Sequence, residues 1–122
     1  MTTENPALEL EELAIRTSQE GEVSNIAWTG LCEVQDPEVT IGPFLRGLIP
    51  SLVNRKVVMD FRKLEYMNSA TMQPLFLLLK ELNTNQIQTT ILYDPGTEWQ
   101  RISFRSIKAV TTTLPCITVT AG

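Results

Sequence analysis

From Val57 the chain runs Val57-Val58-Met59-Asp60-Phe61, a nearly unbroken apolar, β-branched run suited to a central strand covered on both faces. Leu64, Tyr66 and Met67 carry the apolar character on to a short polar step at Asn68-Ser69. Beyond it Met72, Leu75, Phe76, Leu79 and Leu82 recur at helical spacing, widened by Leu77 and Leu78. Lys80, Glu81 and Asn83 close that segment with polar groups expected to face solvent. Val57 to Asn83 therefore reads as strand, turn and helix.

The remaining elements are predicted in the same way. Residues 1–12 read as a flexible N-terminus and 13–122 as one domain. Leu13-Ala14-Ile15 and Val23 to Leu31 read as two strands joined near Glu20-Gly21-Glu22, with an open register because the apolar positions do not alternate cleanly. Thr40 to Val53 places Ile41, Phe44, Leu45, Leu48, Ile49 and Leu52 on one helical face. Thr40 serves as N-cap and Pro43 sits where a missing N–H costs little, whereas Pro50 is expected to kink or shorten the helix. Asn83 to Gln86 reads as a polar break, followed by a strand at Ile87 to Tyr93. After the Asp94-Pro95-Gly96 turn, the Thr97/Gln100 spacing predicts a capping box and a helix from about Glu98, with Trp99, Ile102, Ser103 and Ile107 inward. Leu114 to Val119 is a last strand, placed at an edge by Pro115. The order β-β-α-β-α-β-α-β predicts an α/β fold. Its mixed sheet packs about three helices mainly on one face, with parallel neighbours in the middle.

Composition narrows the chemistry. A chain of 122 residues with 43% hydrophobic content can bury a core without metal or disulfide, and no segment is long and apolar enough to span a membrane. Met1 to Glu12 is acidic, without the basic start and apolar run of a signal peptide, so the cytoplasm is the expected compartment. Cys32 and Cys116 then read as core thiols in a reducing compartment. Histidine is absent, which excludes histidine-based triads, zinc sites and acid/base work. The net charge of −4, with basic residues single or paired, supplies no phosphate-neutralising patch. No metal or cofactor is expected, and a protein partner is favoured by elimination.

The Asn68-Ser69 step draws attention because ligands and partners of α/β domains meet strand ends where helices begin. Asn68 or Ser69 is the expected N-cap there, satisfying otherwise orphan amides. A hydroxyl at that place is also suited to modification, since phosphate adds roughly −1.5 to −2 charge at a helix start. Thr71 is a second hydroxyl on the turn. Pro74 is harmless if Thr71 is the cap and costly if Ser69 is, which favours a regular helix beginning near Thr71.

In element order over residues 13–119, and most clearly in VVMDFRKLEYMNSATMQPLFLLLKEL, the chain resembles the STAS domains of bacterial anti-sigma-factor antagonists. That family follows a strand with Asp-Ser-Ser/Thr-Gly and then a helix, and its first Ser is phosphorylated. Those positions fall here on Asn68, Ser69, Ala70 and Thr71, so three of the four depart from the pattern. The chain is more similar to the SiaC-like biofilm regulators, which carry Asp-Leu/Phe-Arg and then Tyr-Leu/Met-Asn-Thr/Ser. The matching residues are Asp60-Phe61-Arg62, Tyr66-Met67-Asn68-Ser69 and a Tyr93-Asp94 pair. Ala70 and Pro95-Gly96 differ from that group.

The resemblance implies a non-enzymatic signalling phosphoprotein with Ser69 as its phosphosite. It implies a histidine-kinase-like ATPase as kinase, a serine/threonine phosphatase, and a diguanylate cyclase or another effector protein that prefers the unmodified form. Asp60, Arg62, Tyr66, Asn68, Thr71 and Asp94 are the expected partner contacts around Ser69. Nucleic acid and membrane are not expected partners, and a homodimer is left open. Asp60 has two readings, assisting the kinase or capping its own loop. Arg62 is either a surface ion-pair residue or a phosphate or partner contact. The competing functional readings are a constitutive scaffold of the same fold and, last, a small enzyme using Asp60, Glu65 and Asp94.

Overall fold

The computed structural model describes residues 5–122. The strands are β1 (Ala7–Leu10), β2 (Leu13–Glu20), β3 (Val23–Cys32), β4 (Lys56–Asp60), β5 (Leu64–Met67), β6 (Thr89–Tyr93) and β7 (Ile117–Ala121). Three helices intervene, α1 (Ile41–Leu52), α2 (Met72–Thr84) and α3 (Glu98–Thr111), and a 3-10 turn at Ser69–Thr71 leads into α2. The fold is α/β, as the hydrophobic pattern predicts.

The sheet order is β1-β2-β3-β4-β6-β7, with β5 alongside the end of β3. β1, β2 and β3 are antiparallel neighbours. From β3 through β4, β6 and β7 the strands are parallel, the arrangement that helical crossovers demand. Leu13, Ile15, Ile26, Trp28, Val57, Met59, Ile91, Ile117 and Val119 are buried on one face. On the other, Ala27, Val58, Asp60 and Leu92 are only half-buried. β4 is thus covered fully on one face rather than two, and its apolar run exceeds what that burial needs.

Two strands were not legible as such. Ala7–Leu10, expected within a flexible tail, pairs with β2 from Ala7↔Arg16 to Leu10↔Leu13. Residues 1–4 of that tail lie outside the described residues. Leu64–Met67 forms β5, whose burial runs buried-exposed-exposed-buried instead of alternating. What admits β5 is Gly30. β3 pairs with β4 as far as Ala27↔Asp60 and with β5 from Gly30↔Leu64 onward, the second pairing shifting register between Gly30 and Leu31. Gly30 has φ +86°, and a Cβ there would lie 1.8 Å from the Glu12 carbonyl oxygen. Only glycine fits such a close backbone approach at positive φ.

The helices depart from expectation in detail. Pro50 sits exposed inside α1 without ending it, and the helix runs on to buried Leu52. Thr40 precedes α1 but makes no side-chain cap bond; its hydroxyl donates to the Asp36 carbonyl at 3.2 Å. α2 continues to Thr84, and Asn83 turns inward, its Oδ1 accepting from the Cys116 N–H at 2.9 Å. α3 starts at Glu98 as predicted and buries Ile107 as expected, but the rest of its buried side is Gln100, Phe104 and Thr111. Ile102, expected inward, is 56% exposed. Trp28, Phe61 and Phe104 pack in a tilted series through the core with successive ring centroids 4.9 Å apart. β7 starts at Ile117, beyond Pro115, and is the edge strand that the proline suggests.

Candidate functional site

The strand-turn-helix around Ser69 is held by one residue. Asn68 has extended backbone angles (φ −71°, ψ 161°) and caps the 3-10 turn. Its N–H donates to the Cys32 carbonyl at 2.9 Å, at the end of β3. Its side-chain amide Nδ2 donates to the Val34 carbonyl at 2.8 Å. Its Oδ1 accepts from the Thr71 N–H at 3.2 Å and from the Thr71 hydroxyl at 2.6 Å. These partners fix the amide orientation, since a carbonyl must face Nδ2 and a backbone N–H must face Oδ1.

Thr71 is fully buried. Its Oγ1 lies 3.2 Å from the Cys32 Sγ. Because the Thr71 proton points to Asn68, the Cys32 S–H is the donor to Thr71. Burial pushes the Cys32 thiol above its ordinary pKa, so it remains a neutral donor. A relay of Cys32, Thr71 and Asn68 therefore latches the turn to β3.

This geometry bears on two of the expected partner contacts. Thr71 has no surface to offer, because its hydroxyl satisfies buried groups. Asn68 spends both ends of its amide on the fold. The regular helix begins at Met72, close to the expected Thr71, and Pro74 is its harmless third residue. Ser69 is left exposed between these two committed neighbours, and among the described residues its hydroxyl has no hydrogen-bond partner. Ala70, Gln73 and Leu77 extend the exposed surface along the first turns of α2 without a charge.

The other polar candidates are mostly engaged in pairs of their own. At the end of β4, the Asp60 carboxylate accepts from the Arg62 N–H and Nε at 3.0 Å through Oδ1, and from its terminal nitrogen at 2.9 Å through Oδ2. That two-point bond from Arg62 holds the Asp60 carboxyl below the usual range and raises the guanidinium. Asp60 thus caps its own loop, and Arg62 forms the ion pair expected of a surface residue. Both remain partly exposed, with side-chain exposures of 25% and 45%. Tyr66 is 43% exposed, and its ring centroid lies 6.4 Å from that of Trp99.

Asp94 sits at the matching junction before α3. Its Oδ2 accepts from the Thr97 hydroxyl at 2.8 Å and its Oδ1 from the Gly96 N–H at 2.9 Å, and these bonds lower its pKa. With its carboxylate spent on the turn, Asp94 is a loop former. The predicted capping box between Thr97 and Gln100 does not form. Gln100 is completely buried, with Nε2 donating to the Phe61 and Leu64 carbonyls at 2.7 and 2.9 Å and Oε1 accepting from the Asp94 N–H at 2.8 Å. It ties the loop carrying Asp60 and Arg62 to the start of α3. Sequence reasoning missed this role because its partners are up to 39 residues away.

Among the described residues no group of His, Cys, Asp or Glu side chains is arranged to hold a metal ion, and no helix is long and apolar enough to cross a membrane. The chain matches no family model. No curated protein matches it at a significant level.

Proposed function

We propose that this chain is a phosphorylation-switched regulatory domain of the STAS-like kind, non-enzymatic and cytoplasmic, with Ser69 as its phosphoacceptor. The observation that supports it best is the exposed, unpartnered Ser69 hydroxyl on a turn whose flanking residues are fully bonded into the fold. A kinase needs a hydroxyl that reaches its active site without unfolding its surroundings. Ser69 meets that need, whereas Thr71 does not.

Phosphate there adds roughly −1.5 to −2 charge to a neutral surface at the start of α2, close to the positive end of the helix. A partner that packs on Ser69, Ala70 and Gln73 in the unmodified form must desolvate that charge or dissociate. The partners are then a histidine-kinase-like ATPase, a serine/threonine phosphatase, and an effector such as a diguanylate cyclase that reads the unmodified state. The half-buried Asp60 and the exposed Arg62 and Tyr66, on the preceding strand ends, complete the contact surface.

The test is comparative retention. Ser69→Ala and Ser69→Asp proteins, both shown to be folded, are exposed to the same cell extract. The reading expects partners held by Ser69→Ala and lost by Ser69→Asp; identical retention by the two rejects it.

A further inference from the structure

We infer that the open edge of β7, backed by the basic side of α3, is a docking site for an extended acidic segment of a partner protein. Two strands, β4 and β6, separate it from β3, beside which β5 leads into the Ser69 turn, and it does not depend on that residue.

Among the described residues β7 ends the sheet, and one side of its backbone is unpaired. The Cys116 carbonyl bonds to Thr89 and the Gly122 N–H to Tyr93 on the β6 side. Peptide groups alternate along a strand, so Val119 and Ala121 direct their N–H and C=O groups outward. Natural edge strands are ordinarily guarded by a charge, a proline, a bulge or shortness. The opposite edge follows that rule: β1 has four residues, Pro6 stands just before it, and Glu9 on it pairs with Arg16. Ile-Thr-Val-Thr-Ala of β7 carries no charge and no bulge, and its one proline guard, Pro115, stands two residues before the strand.

The chemistry beside the edge selects the occupant. A groove of about 400 Å³ runs between α3 and β7, walled by Lys108, Thr111 and Thr112 on one side and β7 on the other. Arg101 and Arg105 lie on the same helical stripe as Lys108, at i, i+4 and i+7, and all three are exposed. Among the described residues none of the three has an ion-pair partner, the two pairs present being Glu9–Arg16 and Asp60–Arg62. An unpaired basic stripe on a chain of net charge −4 favours an acidic partner. The unpaired strand edge requires that partner to be extended, adding by β-augmentation with alternate side chains in the groove.

The experiment uses the full chain and a short peptide alternating glutamate and valine, with its lysine-for-glutamate counterpart as control. Amide exchange and backbone chemical shifts are followed by NMR. The expected result is slowed exchange at Val119 and Ala121 with the glutamate peptide alone, and affinity lower by ~10-fold or more in the double variant Arg105→Glu, Lys108→Glu. Ser69→Asp protein binds the peptide as wild type does, which keeps this result separate from the fate of the Ser69 reading. Equal binding of the lysine peptide overturns the inference. So does protection of the two amides that rises with protein concentration without peptide, which assigns the edge to a second copy. Retention by anionic phospholipid vesicles with no protection at β7 also overturns it, in favour of a lipid surface.

Discussion

The two turns that lead from strands into α2 and α3 solve the same problem in opposite ways. At the β5–α2 junction one amide, Asn68, satisfies Cys32, Val34 and Thr71, and the hydroxyl beside it is left free. At the β6–α3 junction the Asp94 carboxylate takes up the Thr97 hydroxyl and the Gly96 amide, while Gln100 takes the Asp94 N–H. The second turn has spent its side-chain hydroxyl on its own shape. The first has not. A modifiable group needs a rigid frame that does not use that group, and only the Asn68 turn combines the two.

That contrast is most easily broken at its foundation. Gly30→Ala should cost more than about 4 kcal/mol in chemical denaturation, because positive φ and a backbone clash act together where β3 turns to receive β5. Gln100→Leu should cost about 2–3 kcal/mol by the same measurement. It leaves the buried Phe61 and Leu64 carbonyls and the Asp94 amide without their partner. Thr71→Val, close in shape, should cost about 1–2 kcal/mol by removing the hydroxyl between Cys32 and Asn68.

Ser69→Ala should change stability by no more than about 0.5 kcal/mol. The helix-cap reading of Ser69 expects about 0.5–2 kcal/mol instead. A thermal melt therefore separates a free hydroxyl from a capping one. Smaller still is the pH effect of Asp60. Its carboxyl pKa is lowered in the folded chain, so its contribution is complete above about 3.9 and is lost as pH falls through the lowered folded value. Melting temperatures of wild type and Asp60→Asn should converge at the acid end of that window, by a small amount because the pair is partly exposed.

The helices and central strands were legible because their apolar positions keep a fixed period over many residues. Leu75, Leu79 and Leu82 are buried as the 3.6-residue spacing requires. β1 and β5 were not, since four residues hold at most two apolar positions on a face and their pairing depends on distant strands. Gly30 carries no local signal either, because its constraint is the Glu12 carbonyl brought in by the β2–β3 register. Within the site, Asn68 at the helix entry was readable from cap chemistry. The burial of Thr71 and the three bonds of Gln100 were not, since each is set by tertiary neighbours that spacing cannot reveal.

The most direct measurement is phosphosite mapping by mass spectrometry on the chain isolated from its own cells, before and after phosphatase treatment. A single phosphate on Ser69 that phosphatase removes is expected, with Thr71 and Thr97 unmodified. A phosphate on another residue, or none on Ser69 under conditions where its partners are bound and released, would contradict it.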